Sequence, residues 1–426
     1  MKIYNNPHCE EWRELMARPL AKRNEIAPLV ANIIEQVRCG GDAALCELAL
    51  SIDKVELDDL RVLQCEIDEA ETKIGEELKS AMALAASNIR SFHAAQRHAD
   101  VDIETTAGVR CVQRAVAIER VGLYIPGGSA PLFSTVLMLA LPAKIAGCKE
   151  VILCTPPSRE GGVAPAILYA AKLCGVDKIY KIGGAQAIAA MAHGTESIEA
   201  VDKIFGPGNQ YVTEAKQQLS STTVAVDMPA GPSEVLVMAD SSAVASYVAS
   251  DLLSQAEHGA DSQAMLVCDS EAFAADVMRC IEEQLLQLDR SDIASKALEN
   301  SRVVVLANRD QLVAFANGYA AEHLIISMEE PWEVASQITA AGSIFIGNYT
   351  PESAGDYASG TNHTLPTYGW ARSYSGVNLD SFMRKMTIQE ITPEGLAKIG
   401  YAIETMASAE GLSAHRNAVT LRLKDI

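Results

Sequence analysis

The sequence lacks the long apolar run that a membrane-spanning helix needs. Its longest apolar stretch, Val136 to Pro142, is far shorter than the roughly 20 residues that cross a bilayer. The first residues, MKIYNNPHCEEWRELM, contain no apolar core of a secretory signal. We therefore expect a cytoplasmic protein that does not use a membrane as a partner.

Positive charge is also scarce. Lys and Arg total 35 against 55 Asp and Glu, which gives a formal net charge of −20. A field of this sign repels phosphate backbones, so we expect no nucleic-acid partner.

Paired cysteines are missing, because none of the ten cysteines stands in a CxxC arrangement. Scattered cysteines in a chain of 426 residues indicate reduced thiols rather than a disulfide framework. Their spacing does not suit a thiolate-rich metal site. Cys111 and Cys148 lie nearest the first glycine-rich turn and leave a covalent thiohemiacetal route open. No neighbouring sequence feature would activate either thiol.

The pattern of apolar residues predicts an α/β fold. Residues 1 to about 98 have helical spacing of apolar residues. From about Val116, short β-branched runs such as VGLYI, EVILC and KIYKI alternate with helical segments. A second such series follows the MPAGPSE loop, and the part from about Thr392 is again helical. We expect two incomplete Rossmann-like parallel-sheet domains with helical N-terminal and C-terminal extensions.

Three predicted strand-to-helix turns are rich in glycine: YIPGGSAP (124–131), IGGAQAI (182–188) and FGPGNQY (205–211). Glycine lets a backbone approach a ligand, and helix N-termini attract phosphate. None of the turns matches GxGxxG with a following acidic residue at the expected distance. Ordinary tight turns therefore remain an alternative to a dinucleotide site.

Two pairs of polar residues could bind a metal ion. Gln255 and His258 stand three apart at the predicted end of a helix and so share a face. Asp356 and His363 lie in an irregular segment, GDYASGTNH, which we expect to be a loop. Carboxylate and imidazole ligands suit zinc or manganese. Solvated polar surface is the alternative for both pairs.

Two further pairs are candidates for catalysis or binding. Glu322 and His323 lie just before a predicted strand, LIIS, in a position where a general base could lie. Both can serve one site only if the backbone turns there, because neighbours on a strand point to opposite faces. Glu410 and His415 flank the Gly411 break near the C-terminus, where surface helix residues are the alternative.

Several segments occur together in one order: VGLYIPGGSAPLFSTVLM, GGAQAIAA, DKIFGPGN, DMPAGPSEVLV, DLLSQAEHG, EHLII, SAGDYASGTNHTLPT and AEGLSAH. This ordered set resembles the histidinol dehydrogenase family over essentially the whole chain. The resemblance implies an aldehyde-dehydrogenase-like fold. It also implies the division 1–24 (N-terminal extension), 25–117 with 234–377 (first Rossmann-like domain), 118–233 (second, NAD-binding domain) and 378–426 (tail swapped in a homodimer).

The same resemblance implies a role for each candidate residue. Zinc ligands would be Gln255, His258, Asp356 and, from the other subunit, His415. Glu322 and His323 would be the acid–base pair. Contacts to NAD would come from Tyr124, Gln186 and Asn209. L-Histidinol would be held by Ser233, His363 and Glu410 together with the ligands and His323.

The reaction implied by the resemblance is the oxidation of L-histidinol through L-histidinal to L-histidine, with two NAD per turnover. Two other functions remain open from the residues alone. A zinc hydrolase would use Glu322 as base and need no nucleotide. A Rossmann-like protein could also bind NAD or zinc without turnover.

Overall fold

The computed structural model describes residues 1–18, 23–127, 131–229 and 231–426. Residues 128–130 of the first glycine-rich turn, residues 19–22 of the predicted N-terminal extension and residue 230 of the MPAGPSE loop lie outside the described residues.

The strands are β1 (Lys2–Asn5), β2 (Val101–Thr106), β3 (Val109–Ala117), β4 (Arg120–Tyr124), β5 (Glu150–Cys154), β6 (Lys178–Tyr180), β7 (Lys203–Phe205), β8 (Ala225–Val226), β9 (Glu234–Ala239), β10 (Gln263–Cys268), β11 (Arg302–Val305), β12 (His323–Ser327), β13 (Ser343–Ile346) and β14 (Met383–Ile391). The α-helices are α1 (Trp12–Leu15), α2 (Arg23–Leu48), α3 (Gln64–Thr72), α4 (Glu76–Ala94), α5 (Phe133–Ala146), α6 (Pro165–Cys174), α7 (Gly184–His193), α8 (Gln210–Ser220), α9 (Ala245–Ala256), α10 (Glu271–Leu285), α11 (Ser291–Glu299), α12 (Arg309–Tyr319), α13 (Pro331–Ala335), α14 (Glu352–Tyr357), α15 (Pro393–Ala409) and α16 (Ser413–Leu423).

One parallel sheet has six strands in the order β1-β11-β10-β9-β12-β13. Every residue of β9, β10 and β12 is buried, as expected for parallel strands covered on both faces. The chain proceeds from β9 to one side through β10 and β11, and then returns to the other side with β12 and β13. The strands at this reversal carry the site described below.

A second parallel sheet has five strands in the order β6-β5-β4-β7-β8. Its strand order reverses between β4 and β7. In open α/β sheets, ligands bind outside the carboxyl ends of the strands at such a reversal. Tyr124 is the last residue of β4, and the FGPGN turn begins with the last residue of β7. Two of the predicted nucleotide contacts, Tyr124 and Asn209, therefore lie at the expected end of this sheet.

The predicted α/β class with two parallel sheets is confirmed, but both predicted helical extensions also contain a strand. In the N-terminal extension, β1 pairs in parallel with β11 and forms the edge of the six-stranded sheet. In the C-terminal tail, β14 pairs with β3 in a separate antiparallel sheet of order β14-β3-β2. Each strand pairs with a segment far away in the sequence, which local patterns do not reveal.

The domain boundaries stay a prediction, and one packing feature bears on them. Helix α2 packs on α7 and α8, while α3 and α4 pack on α6 and α5. Val30, Val37 and Leu45 of α2 join the same apolar cluster as Ile188 of α7. These helices were predicted to belong with the six-stranded sheet, yet their apolar faces are buried against the helices of the five-stranded sheet.

The C-terminal part forms an arm. Helices α15 and α16 pack against each other, and Gly395 lies against Gly108 at the β2–β3 turn. All of α16 is described, and none of its residues is buried. The side chains of Tyr401 and Met406 are 78% and 65% exposed. Within the described ranges, no helix of the molecule combines the length and apolar character needed to cross a membrane.

Candidate active site and metal centre

The candidate catalytic residues lie at the amino ends of the central strands of the six-stranded sheet. His323 is the first residue of β12 and pairs with Val235 of β9 and Ser343 of β13. Glu322 precedes it directly. Helix α9 follows β9 and returns the chain to this same end of the sheet, where it finishes just after Gln255. The start of β12 and the end of α9 therefore bring two predicted pairs, Glu322 with His323 and Gln255 with His258, to the same end of the sheet.

His323 is buried among acidic groups. Its Nδ1 atom lies 3.4 Å from the carbonyl oxygen of Glu234, 3.7 Å from Glu322 Oε2 and 3.8 Å from Glu352 Oε1. Its Nε2 atom lies 3.6 Å from Asp356 Oδ1. Because a carbonyl oxygen can only accept a hydrogen bond, we assign the ring proton to Nδ1. In the neutral form of the ring, the lone pair is then on Nε2, which lies toward Asp356.

The surroundings shift the pKa of both Glu322 and His323. Burial raises the pKa of Glu322 to about 8, although its Oε2 accepts a 2.9 Å hydrogen bond from the Glu234 amide. Burial alone would lower the pKa of His323, but the carboxylates of Glu352, Glu322 and Asp356 together raise it to about 10. Two groups of shifted pKa that touch in a buried position are typical of a catalytic pair.

Beside this pair, ligand atoms of His258, Glu352 and Asp356 lie within 4.8 Å of one another. Gln255 is fully buried, and neither polar atom of its side-chain amide has a hydrogen-bond partner among the described residues. A buried amide without a partner is costly unless something absent from the protein chain satisfies it. An imidazole, carboxylates and an amide oxygen fit a zinc ion as a donor set.

The structure corrects one local prediction. The segment that contains Asp356 was expected to be a loop, but it forms the short helix α14 with Pro351 at its N-cap position. Glu352 lies one turn before Asp356 on this helix and was not predicted as a site residue. The signal that could have found it is the proline followed by an acidic residue, which is typical of a helix start.

His363 connects the candidate metal-site cluster of His258, Glu352 and Asp356, called the metal-site cluster below, to the other sheet. Its Nδ1 atom lies 2.9 Å from the main-chain oxygen of Asp356, and its Nε2 atom lies 3.2 Å from Thr135 Oγ1. Thr135 belongs to the first turn of α5, the helix that follows β4 and the first glycine-rich turn. The cluster of acidic and imidazole groups therefore adjoins the part of the five-stranded sheet where a nucleotide would bind.

The predicted nucleotide contacts lie at the ends of β4, β6 and β7 of the five-stranded sheet. The phenol oxygen of Tyr124 accepts a 3.0 Å hydrogen bond from the Gly184 amide at the start of α7. In the same first turn, Gln186 donates to Asp53 at 3.3 Å. Asn209 is the N-cap of α8, where it accepts from the amides of residues 211 and 212.

The turn after β7 comes close to β4. Gly206 has φ +125°, and a side chain there would begin 2.0 Å from the carbonyl oxygen of Tyr124. Only glycine fits this position. The Gly206 amide donates to Asp227 at 2.8 Å, and Lys216 donates to the Gly206 carbonyl at 2.9 Å. Lys216 also pairs with Asp227, so a buried ion pair fixes this turn.

Three predicted residues are less closely connected. Ser233 is half-buried directly before Glu234, and its carbonyl oxygen accepts from the Gln263 amide at 3.2 Å. Glu410 ends α15 and His415 lies in the first turn of α16, and both are exposed on the arm. No described contact joins either of them to the cluster of the same chain.

Two parallel sheets covered by helices define an α/β fold, and the buried pair of Glu322 and His323 lies beside one of them. The fold is similar to that of a Burkholderia cenocepacia protein assigned as an aldehyde dehydrogenase, with TM-score 0.50 and 14% identity over 89% of this chain and 90% of that chain.

The histidinol dehydrogenase family model matches residues 16–423. The histidinol dehydrogenase of Bacteroides fragilis strain YCH46 is 58% identical over the whole of both chains. That of Escherichia coli K12 is 52% identical over 99% of this chain and 96% of its own. A crystal structure of histidinol dehydrogenase from Elizabethkingia anophelis superimposes with TM-score 0.98 and 53% identity, covering 100% of this chain and 98% of that chain. The chain therefore belongs to the histidinol dehydrogenase family and is an oxidoreductase.

Proposed function

We propose that the protein catalyses the zinc-dependent, NAD-linked oxidation of L-histidinol through L-histidinal to L-histidine. The main support is that one side chain, His363, links the metal-site cluster to the part of the five-stranded sheet where a nucleotide would bind. This side chain contacts Asp356 of the metal-site cluster on one side and Thr135, next to the first glycine-rich turn, on the other. A substrate bound at the cluster would thus lie beside a nucleotide bound at the five-stranded sheet.

His323 is proposed as the base in both oxidations. Its Nε2 lone pair faces the cluster, so it can take the hydroxyl proton of the alcohol while a hydride leaves the same carbon for NAD. The product of this step is the bound aldehyde. Glu322 is proposed to activate the water that hydrates the aldehyde. Loss of a second proton to His323 and of a second hydride gives the carboxylate.

We propose that zinc is held by Gln255, His258 and Asp356, together with His415 of the partner subunit. The unpartnered amide of buried Gln255 supports this assignment. When bound, zinc would orient the substrate by its nitrogen atoms and, by its positive charge, bring the pKa of His323 down toward that of a base. Ser233, His363 and Glu410 are proposed to hold the rest of the substrate.

NAD is proposed to bind across the reversal between β4 and β7, in contact with Tyr124, Gln186 and Asn209. A cavity of about 290 Å³ lined by Gly206, Lys216 and Tyr374 lies on the β7–β8 side of this reversal. The division into domains, with 118–233 as the NAD-binding unit, is part of this proposal. The helices of residues 23–94 are packed on this unit.

The cytoplasmic location is also kept as a proposal, in line with ten free cysteines.

The proposal is tested by following NADH absorbance with purified protein, L-histidinol and NAD⁺. We expect two NADH for each histidinol consumed and histidine as the product. A chelator should abolish turnover while the circular dichroism spectrum stays the same, because α9, which carries Gln255, is held by an apolar core. One NADH with free histidinal would contradict the two-step reaction. Full activity of metal-free protein would contradict the role of zinc, and a hydrolase would form no NADH.

A further inference from the structure

Glu352 is a buried carboxylate without a hydrogen bond. Its side chain is 1% exposed, and neither carboxylate oxygen has a hydrogen-bond partner among the described residues. Isolated buried charges are expensive, and native proteins pair them with other charges or with metal ions. Burial raises the pKa of Glu352 to about 8, so near neutral pH this carboxylate is ionised only beside a positive partner at short range.

The groups around Glu352 identify that partner. Its Oε1 atom lies 3.8 Å from His323 Nδ1, and a carboxylate oxygen lies within 4.8 Å of ligand atoms of His258 and Asp356. The other groups facing it, Glu322 and Asp251, are carboxyl groups and cannot supply positive charge. Among the described residues, the imidazole rings of His258 and His323 can supply positive charge near Glu352, and a cation at the metal site is the other source.

The distance also limits what Glu352 can do. At 3.8 Å the carboxylate is too far from Nδ1 for a hydrogen bond, and the nearer carbonyl of Glu234 already fixes the ring proton there. Glu352 can act on His323 through its charge. The contact of Glu352 is to Nδ1, whereas the atom proposed to take the hydroxyl proton is Nε2.

We propose that Glu352 is a positioning residue of this site, whose ionised carboxylate balances the positive charge of the metal and of the imidazolium formed on His323. This inference rests on the proposed function. Asp356 is the only anion among the proposed ligands, so zinc leaves the site with net positive charge. When His323 takes the hydroxyl proton, a second positive charge forms beside it. Glu352 keeps no proton in this step and lowers the free energy of the charged state.

The test uses Glu352→Gln, which removes the charge and keeps the size. In metal-free protein, the variant should unfold at about the same temperature as the unchanged protein, because Gln keeps the size of the side chain and no hydrogen bond of the carboxylate is lost. Zinc should then raise its unfolding temperature less, since binding is weaker. With zinc and substrate saturating, kcat should fall between about 10-fold and 100-fold, the usual cost of losing a supporting group. KM for histidinol should change little, because the interaction strengthens only as charge develops.

Asp240→Asn is the matched control. Asp240 is a buried carboxylate at the opposite end of the same sheet, where it accepts from the amides of Ser242 and Glu329. This variant should lose stability but keep the zinc-induced rise in unfolding temperature and keep kcat. An equal zinc-induced rise in Glu352→Gln and the unchanged protein, or a kcat within twofold, would overturn the proposal. A variant that takes up no zinc would also overturn it, since Glu352 would then be a ligand. Absence of NADH formation by the unchanged protein would instead reject the proposed function.

Discussion

Glu322 and His323 meet at one site although they are neighbours in the sequence. Glu322 lies just before β12, so the alternation of a strand does not force the two side chains apart. Its Oε2 atom is 3.7 Å from His323 Nδ1, while Nε2 faces the metal-site cluster. In the proposed function the two residues would therefore act on the substrate from different positions, and each could serve a different step.

This arrangement predicts different losses for the two residues. His323→Ala should slow alcohol oxidation by about 10²- to 10⁴-fold, the usual contribution of a placed base, and should slow the aldehyde step as well. Glu322→Gln keeps an oxygen that can accept from the Glu234 amide, so the local fold should remain. It should chiefly slow the aldehyde-to-acid step, which alone needs an activated water.

The measurement is NADH formation with histidinol and, separately, with histidinal supplied directly. Thermal unfolding of each variant provides the control for folding. Equal losses of Glu322→Gln on both substrates would remove the water-activating role from Glu322.

Individual residues differ in how far the sequence could identify them. The spacing of Gln255 and His258 predicts one helix face, and α9 does end at this pair. Glu352 was not predicted because what marks it is its burial beside His323. That contact joins two different elements, β12 and α14, and leaves no local pattern in the sequence. The roles of His258 and Asp356 came from the family resemblance, while their closeness in space is a result of the structure.

At the scale of elements, burial decides what the sequence reveals. The strands of both parallel sheets are short apolar runs, and their pattern predicted them from β4 to β13 with the exception of the two-residue β8. By contrast, β2 (VDIETT) is largely exposed and has no continuous apolar run. Its sheet is completed by β14, more than 250 residues away, and pairing at that distance leaves no local signal.

The contact between α9 and α14 gives a prediction for pH. Asp251 of α9 accepts a hydrogen bond from the Glu352 amide at the start of α14, and burial raises the pKa of Asp251 to about 7. The ordinary pKa of an aspartate side chain is 3.8, which we take for the unfolded chain. Between these two values the folded protein holds a proton that the unfolded chain releases. The free energy of unfolding should therefore fall as pH rises from about 4 to about 7.

Asp251→Asn keeps an oxygen that can accept from the Glu352 amide but does not titrate. Above pH 7 it should unfold at a higher temperature than the unchanged protein, and the difference should disappear below about pH 4. Thermal unfolding from pH 4 to 8, with the Asp240→Asn variant as the comparison, measures this. Profiles of Asp251→Asn and the unchanged protein that run parallel would show that Asp251 does not titrate in this range.

At the scale of the whole molecule, the proposed active site is incomplete within one chain. The helices α15 and α16 extend from the antiparallel sheet and expose apolar side chains, among them Tyr401, Met406 and Leu421, which is 52% exposed. Apolar side chains grouped on such an arm are typical of an interface. His415 lies on the same arm, away from the cluster of its own chain. Exchange of the arm between two subunits would cover the apolar side chains and complete both sites.

The last prediction tests this exchange with a mixed dimer of a Gln255→Ala chain and a His415→Ala chain. Each variant alone should be inactive, because every site in its homodimer lacks one ligand. If the arm is exchanged, the His415→Ala chain of the mixed dimer has its own Gln255 and receives His415 of the partner subunit. One of the two sites is then whole, whereas the other lacks both ligands. Co-expression with two affinity tags would isolate the mixed dimer, and its activity should approach half that of the unchanged dimer. If each site instead used the His415 of its own chain, both sites would lack one ligand, and the mixed dimer would be as inactive as either parent.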